Sequence, residues 1–395
     1  MFEIHKTSVP AHGTCTSFLF GLAVAVLGLS FASTSGAQGQ TWSWQTELID
    51  SLGKFPAIIA DRQGNIHVSY IHEGKGVMYA FRSAGAPKWY TMLIDAGGGP
   101  GNETTGIALD SAGNPQICFT PGPLKYSSFD GHEWKTESIG NNTSLLEYSC
   151  SIAIASNGTP HVIWYQTHNA DGSTFNHIRH AVKQDGVWLA RTIDFDFETG
   201  KWNSLALDGT GSPRLSYSSL AGGELRFAAL ESNRWDISVI DSRNFKDNGS
   251  FNRGLGSSLI LDKQGSPIIS YYNDSLLKIA RKREGRWINE IVDHTAPSNA
   301  WSAYRSTLLV DSQGLLHICY EDSGAIKHAV WDGTSWRVQL ITVGGNQPRW
   351  PSMAIDASGT VYIVYRDPVD NSLKVAVGHS GGSDPKAVAA GKENF

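Results

Sequence analysis

The 395-residue sequence predicts an all-β fold, a seven-bladed β-propeller of four-stranded antiparallel blades, and three regularities predict it. Gly64, Gly113, Gly158, Gly211, Gly265, Gly314 and Gly359 recur at intervals of 45 to 54 residues, each in a tight turn after an apolar strand. Trp44, Trp89, Trp134, Trp188, Trp235, Trp287 and Trp336 mark seven outer strands in a second register. The first of these strands precedes the first glycine turn, and the last glycine unit has no tryptophan strand of its own. The amino-terminal strand should therefore complete the last blade, closing the ring and removing long exposed edges. Two separate β domains would need a linker that interrupts the period, and none does.

Taken in order, residues 1–37 read as a signal peptide. Phe18–Leu29 is an apolar run of the right length, and Ser35-Gly36-Ala37 is a small-x-small cleavage site. The run is short for a membrane span, and no later segment approaches the ~20 apolar residues a span needs. The expected protein is secreted or periplasmic, with the propeller over 38–380 and a flexible tail over 381–395. The closing strand comes first, Thr41–Asp50.

The unit Trp202–Asp241 is the cleanest copy of the repeat. It runs from an apolar strand through the turn Asp208–Pro213 to a second strand ending on Tyr217, a third over Leu225–Ala228, and a fourth led by Trp235. Each position has a local reason. The glycine supplies the positive φ of the turn, and an Asp three residues before it (Asp61, Asp110, Asp208, Asp262, Asp311, Asp356) accepts backbone N–H groups. Only the third copy departs, with Ala155. Seven residues before the glycine stands a small residue (Ala57, Gly106, Ser151, Ser204, Ser258, Thr307, Ser352), suited to inner strands converging on an axis. Six after it stands an aromatic (Tyr70, Phe119, Trp164, Tyr217, Tyr271, Tyr320, Tyr365), suited to packing one sheet on the next.

Composition narrows function mostly by exclusion. Lys plus Arg (32) against Asp plus Glu (37) gives a net charge of −5, too mild to predict a nucleic-acid partner. Cys15 leaves with the signal; Cys118, Cys150 and Cys319 are too few for a disulfide framework, although a Cys118–Cys150 bridge is open. Metal-ligand spacings and nucleophile motifs are missing, so no metal and no cofactor are expected.

Loop asymmetry selects the working face. Turns before the tryptophan strands are short and repetitive, such as Asp185-Gly186 and Asp332-Gly333, and that face reads as scaffold. On the opposite face the inter-blade segments 141–149, 195–203, 242–255 and 294–304, and the loop 166–176 inside a blade, vary in length and composition. At the mouth of the inner strands the repeat stops imposing one residue type: Lys54 with Phe55, Tyr148, Lys201 with Trp202, Tyr304 with Arg305, and Arg349 with Trp350. Aromatic faces beside cations suit a sugar ring bearing a carboxylate or sulfate; the alternative is that Trp202 and Trp350 merely cap the inner strands.

His67, His161 and His317 share one repeat position and read as structural. His72 lies just past the aromatic position, whereas His168 and His294 lie in non-repeating loops. A His base, a Tyr acid (Tyr304 or Tyr148) and Arg305 neutralising a uronate would serve β-elimination.

The units Asp311–Tyr320, Ile326-Lys-His-Ala and Asp332-Gly-Thr-Ser-Trp336 resemble repeats of the exported sialidase-like, BNR-repeat superfamily, over essentially all of residues 41–380. Its Ser-x-Asp-x-Gly-x-Thr-Trp box is partly echoed by Asp332–Trp336 and Asp130–Trp134, and its arginine-centred sialidase signature has no counterpart. The resemblance implies a propeller and, through related lyases, hydrolases and lectins, a glycan ligand. The expected function is binding of a glycan or protein partner by a monomer, with an extracellular polysaccharide lyase or glycoside hydrolase as the alternative.

Overall fold

A computed structural model describes residues 42–97, 104–120, 123–139, 147–170, 173–196, 199–219, 223–242, 256–273, 275–295, 305–342, 349–367 and 369–381. The predicted signal peptide, Tyr304 and all but the first residue of the predicted tail lie outside them. The described residues form seven four-stranded antiparallel sheets and no helix, so no helix is long and apolar enough to cross a membrane. Blades 1 to 6 cover residues 53–95, 104–138, 147–194, 199–242, 257–294 and 306–342. Blade 7 takes its three inner strands from 352–380 and its outer strand from Trp42–Asp50, which pairs with Leu373–Ser380.

The burial pattern follows strand position. Second strands such as Ile66–His72 and Pro115–Thr120 are buried throughout, because neighbouring blades cover both faces. Fourth strands such as Arg234–Ser242 alternate, with one face in solvent. Seven apolar clusters form the core, one at each junction between blades. The junction closing the ring brings Val68 and Tyr70 of blade 1 against Val364 and Val375 of blade 7.

Polar positions of the repeat bind one blade to the next. Asp61 Oδ1 accepts the N–H groups of Gln63 and Asn65 at 2.9 and 2.8 Å, and Gly64 holds φ at +82°, so each acts within its own turn. The small serines act between blades: Ser151, Ser204 and Ser258 accept the N–H groups of Leu205, Leu259 and Leu308 at 3.0–3.2 Å. Size alone therefore does not explain that position. The tyrosines act between blades too. Tyr70, Tyr217, Tyr271 and Tyr320 donate to Asp50, Asp194, Asp241 and Asp293 of the preceding blade's outer strand at 2.5–2.8 Å. Arg226, Lys278 and Lys327 complete three of these contacts. The tryptophans repeat the device, as Trp188 and Trp287 donate to Glu137 and Ser238 of the preceding blade.

Two sequence expectations need revision. The segment 166–176 is mostly not a loop: strands Pro160–Ala170 and Ser173–Gln184 continue as a hairpin, paired from Gln166 with His177 to Ala170 with Ser173. The first strand of blade 4 likewise begins at Thr199 and takes in much of the supposed inter-blade segment. In both, polar side chains conceal backbone pairing, unbroken in blade 3 and interrupted by bulges in blade 4. Cys118 and Cys150 are free and buried, in one apolar cluster across the junction of blades 2 and 3. Gly106 makes room for them: a Cβ there would stand 3.0 Å from Cys118 Sγ.

Candidate binding site

The seven inner strands surround a central channel of about 420 Å³. Its wall is made of the small residues, and the residues two positions earlier stand at its mouth. Four of the latter, Phe55, Ser149, Trp202 and Trp350, adopt φ of +48° to +51°. An L-residue in this region costs about 1–2 kcal/mol, so something must hold it there. In three blades it is a bulge, between Lys54 and Ala57, Tyr148 and Ser151, and Lys201 and Ser204. The carbonyl turned out of the ladder is met by the next blade. Thr105 Oγ1 donates to Phe55 O at 2.9 Å, Asn203 Nδ2 to Ser149 O at 2.7 Å, and Ser257 Oγ to Trp202 O at 3.1 Å. Inter-blade hydrogen bonds thus offset strain that aims these side chains away from the sheet, and such backbone outliers concentrate at functional sites.

Two aromatic and cationic clusters result. On blades 6, 7 and 1, the rings of Phe55 and Trp350 lie 4.1 Å apart between centroids and 34° from parallel. The Arg305 guanidinium approaches the Phe55 ring to 5.9 Å, Lys54 Nζ to 5.6 Å, and Arg366 backs Trp350 at 5.7 Å. Across the mouth, Lys201 Nζ lies 5.3 Å from the Tyr165 ring and 5.9 Å from Trp202. Blades 2, 3 and 5 contribute only Thr104, Ser149 and Gly256 at this position. The mouth is therefore asymmetric.

Arg305 is unlike the other cations of the repeat. Arg226 is paired with Asp194, Asp196 and Glu224, whereas Arg305 has no ion pair and no side-chain hydrogen bond among the described residues. Burial lowers its pKa, against the opposing pull of Cys150 and Glu321, but a guanidinium stays charged at neutral pH. Among the described residues the mouth thus holds a positive charge without an ion-pair partner beside an aromatic face. Trp350 is mostly buried under Phe55, with its indole N–H lacking an acceptor among the described residues.

The remaining sequence candidates are dispersed. Arg349 is 2 % exposed and turned away from the opening, its Nη1 donating to Thr342 Oγ1 at 2.5 Å and its N–H to Glu321 Oε2 at 3.1 Å. His72 is buried with Nε2 3.6 Å from Asp50, joining the inter-blade contact that Tyr70 makes. His294 is exposed at the end of strand Arg286–His294. His168 lies in the second strand of blade 3 opposite Phe175, and Tyr148 in its first strand opposite Tyr165.

Three mouth residues escape a reading of the sequence alone: Tyr165, Glu321 and Arg366. All occupy the position just after the repeated aromatic, which varies in type as the mouth position does, and that variability is the available signal. Glu321 is buried, and desolvation pushes its pKa up to about 7 against the lowering effect of the Arg349 and Trp350 N–H groups.

No family model matches the sequence, and no curated protein matches it. Among solved structures, a polysaccharide lyase, an ulvan lyase bound to -[GlcA(1-4)Rha3S]-, is similar at a TM-score of 0.53 and 13% identity, over 84% of this chain and 95% of that one. A variant of the Aleuria aurantia lectin in complex with Fucalpha1-6GlcNAc is similar at 0.50 and 15%, over 76% and 99%. A variant of a protein from Arthrobotrys oligospora follows at 0.50 and 11%, over 77% and 91%. At these identities the likeness concerns the fold, which does not fix function.

Proposed function

We propose that this protein is an exported propeller that binds an acidic glycan at the mouth of its central channel. The observation that carries this reading is the Arg305 guanidinium, unpaired among the described residues, beside the ring of Phe55, which Trp350 backs. An anionic sugar would bring the carboxylate or sulfate that Arg305 lacks, and its apolar ring face would stack on an aromatic side chain. Lys54, Lys201 and Trp202 extend the same chemistry round the opening; Arg349 acts behind it, holding the segment before Trp350 through Glu321. Fold neighbours that bind fucosides or a uronate-containing polysaccharide are compatible with this assignment.

Asymmetry favours a second reading, an extracellular lyase. A lectin with several weak sites would repeat its ligand contacts from blade to blade, whereas here only blade 6 has an arginine, Arg305, two positions before the small residue of the inner strand. In that reading Arg305 neutralises a uronate carboxylate, and the base and acid come from His294, His168, His72, Tyr304 and Tyr148. Membership of the sialidase-like superfamily, removal of residues 1–37 on export, a monomeric state and a free tail are parts of the same proposal. Amino-terminal sequencing of the exported protein tests the cleavage.

The deciding experiment presents the purified protein with a glycan array and with uronic-acid polysaccharides, following absorbance of unsaturated products. Binding that falls about tenfold in Arg305→Gln, as expected for a lost charge-assisted contact, supports the glycan site. New absorbance selects the lyase. Silence in both assays refutes a glycan ligand.

A further inference from the structure

We propose that the turn face between blades 3 and 4 carries a second site, which binds the carboxylate of a small acidic molecule. This face lies opposite the channel mouth and is made of the short turns that read as scaffold. At the aspartate position of these turns the one departure is Ala155, where six other copies have aspartate.

The consequence is visible by comparison within the molecule. In blade 6, His317 Nε2 lies 3.2 Å from Asp311 Oδ2, and His317 Nδ1 lies 3.0 Å from His328 Nε2. Blade 1 has the same carboxylate contact, between His67 and Asp61 at 3.5 Å. Blade 3 keeps the imidazole pair, His161 Nδ1 and His180 Nε2 at 3.1 Å, with the rings 25° from parallel. Ala155 removes the carboxylate, and His161 Nε2 is left without a partner among the described residues.

A cavity of about 580 Å³ opens at that point, lined by Ala155 and both imidazoles. Its other walls fit an acidic ligand. Arg191 is exposed and uses Nη1 on Asn233 Oδ1 at 2.7 Å, leaving further guanidinium donors. The Trp235 ring stands edge-on to His180 at 5.5 Å and supplies a flat apolar wall. Lys183 also lines the cavity, already paired with Glu137, and Asp185 at its rim is the sole carboxylate among the lining residues. Ala155 lines the cavity with His161 and Arg191, so the proposed carboxylate takes the place of the missing side chain.

Protonation agrees with this geometry. Burial lowers the pKa of His161 to about 4 and that of His180, aided by His161 and Arg191, to about 3, so both are neutral at pH 7. A neutral pair sharing one N–H can present either an N–H or a lone pair at His161 Nε2. In blade 6 the aspartate selects the N–H form, and a ligand carboxylate would select it in blade 3.

The test uses saturation-transfer NMR with acetate, galacturonate and galactose as probes, on the full mature protein and on Ala155→Asp. Six turns already carry aspartate, so the variant folds by the same rules, and Arg191→Gln provides a second. Saturable binding of acetate and galacturonate, weakened at least about tenfold by either substitution, is expected from the loss of a charge-assisted contact. Binding of acetate without galacturonate also supports the site and limits it to small acids; binding of both admits a ring on Trp235. No binding of either acid, equal binding by Ala155→Asp, or equal competition by galactose overturns the proposal.

Discussion

Replacing Asp241 with alanine should destabilise the protein by about 3 kcal/mol, through the junction of blades 4 and 5. Asp241 Oδ2 accepts Tyr271 Oη at 2.7 Å, Lys278 Nζ at 2.7 Å and Asn273 Nδ2 at 3.0 Å. Tyr271 is fully buried, so its hydroxyl would lose its acceptor without gaining water. Lys278 is 17 % exposed at the side chain and recovers part of its solvation, which keeps the total below that of a sealed ion pair. Tyr271→Phe removes one donor and should cost about 1 kcal/mol. Because both substitutions act on one contact, the double variant should fall short of the sum by about 1 kcal/mol. Urea-denaturation midpoints of the four proteins, read by tryptophan fluorescence, give the cycle. Burial pushes the Asp241 pKa up, but the bonds from Lys278, Tyr271 and Asn273 outweigh it and leave the value below the ordinary 3.8. The contact therefore contributes fully above that pH and is lost as pH falls through the lowered folded value. A cost under about 1 kcal/mol for Asp241→Ala, or strict additivity, would show that the repeated Tyr–Asp contacts do not hold the blades together.

Ala155→Asp should raise stability by about 1–2 kcal/mol, since the new carboxylate can accept the Asn157 N–H and the His161 Nε2–H; calorimetry showing destabilisation would refute the turn argument. Two buried pairs, His161–His180 and His317–His328, have pKa values held below 6.5 chiefly by desolvation. The unfolded chain takes up these protons first, so stability should fall as pH drops from about 6.5 towards 4, and His328→Gln should flatten the slope of midpoint against pH. Burial raises the Cys118 and Cys319 pKa values, that of Cys319 to about 12, so neither thiol should react with a disulfide reagent at pH 8 before denaturation; rapid labelling of the native protein would contradict their placement.

Local repetition makes the ring readable. The tryptophan and glycine registers each report a position within a blade, and their offset predicts that the amino-terminal strand, Thr41–Asp50, completes blade 7, as Trp42–Asp50 does. What a position inside one blade does not report is its partner in the next. Tyr271 and Asp241 belong to different registers, and only the stacked blades bring them together. Arg349 illustrates the same limit at the site. It follows the mouth pattern in sequence, but Thr342 replaces the outer-strand aspartate of blade 6, and Arg349 fills that junction instead of the opening. Ala155 is legible as an exception, whereas its cavity depends on His180, from another strand.

Closure by the amino-terminal strand also has a kinetic meaning. Trp42 pairs with Ser380, and Gln339 of blade 6 bonds Trp42 O through Nε2 and the Trp44 indole through Oε1. These contacts join residues some 300 positions apart, among the longest loops the chain must close, and the entropy of closure grows with the logarithm of loop length. Blades built from local hairpins can form early, while the last sheet waits for both ends of the ring. Until then the strand Leu373–Ser380 presents a free edge, and the same segment that gives the finished ring its permanence sets the interval during which another chain could pair with it.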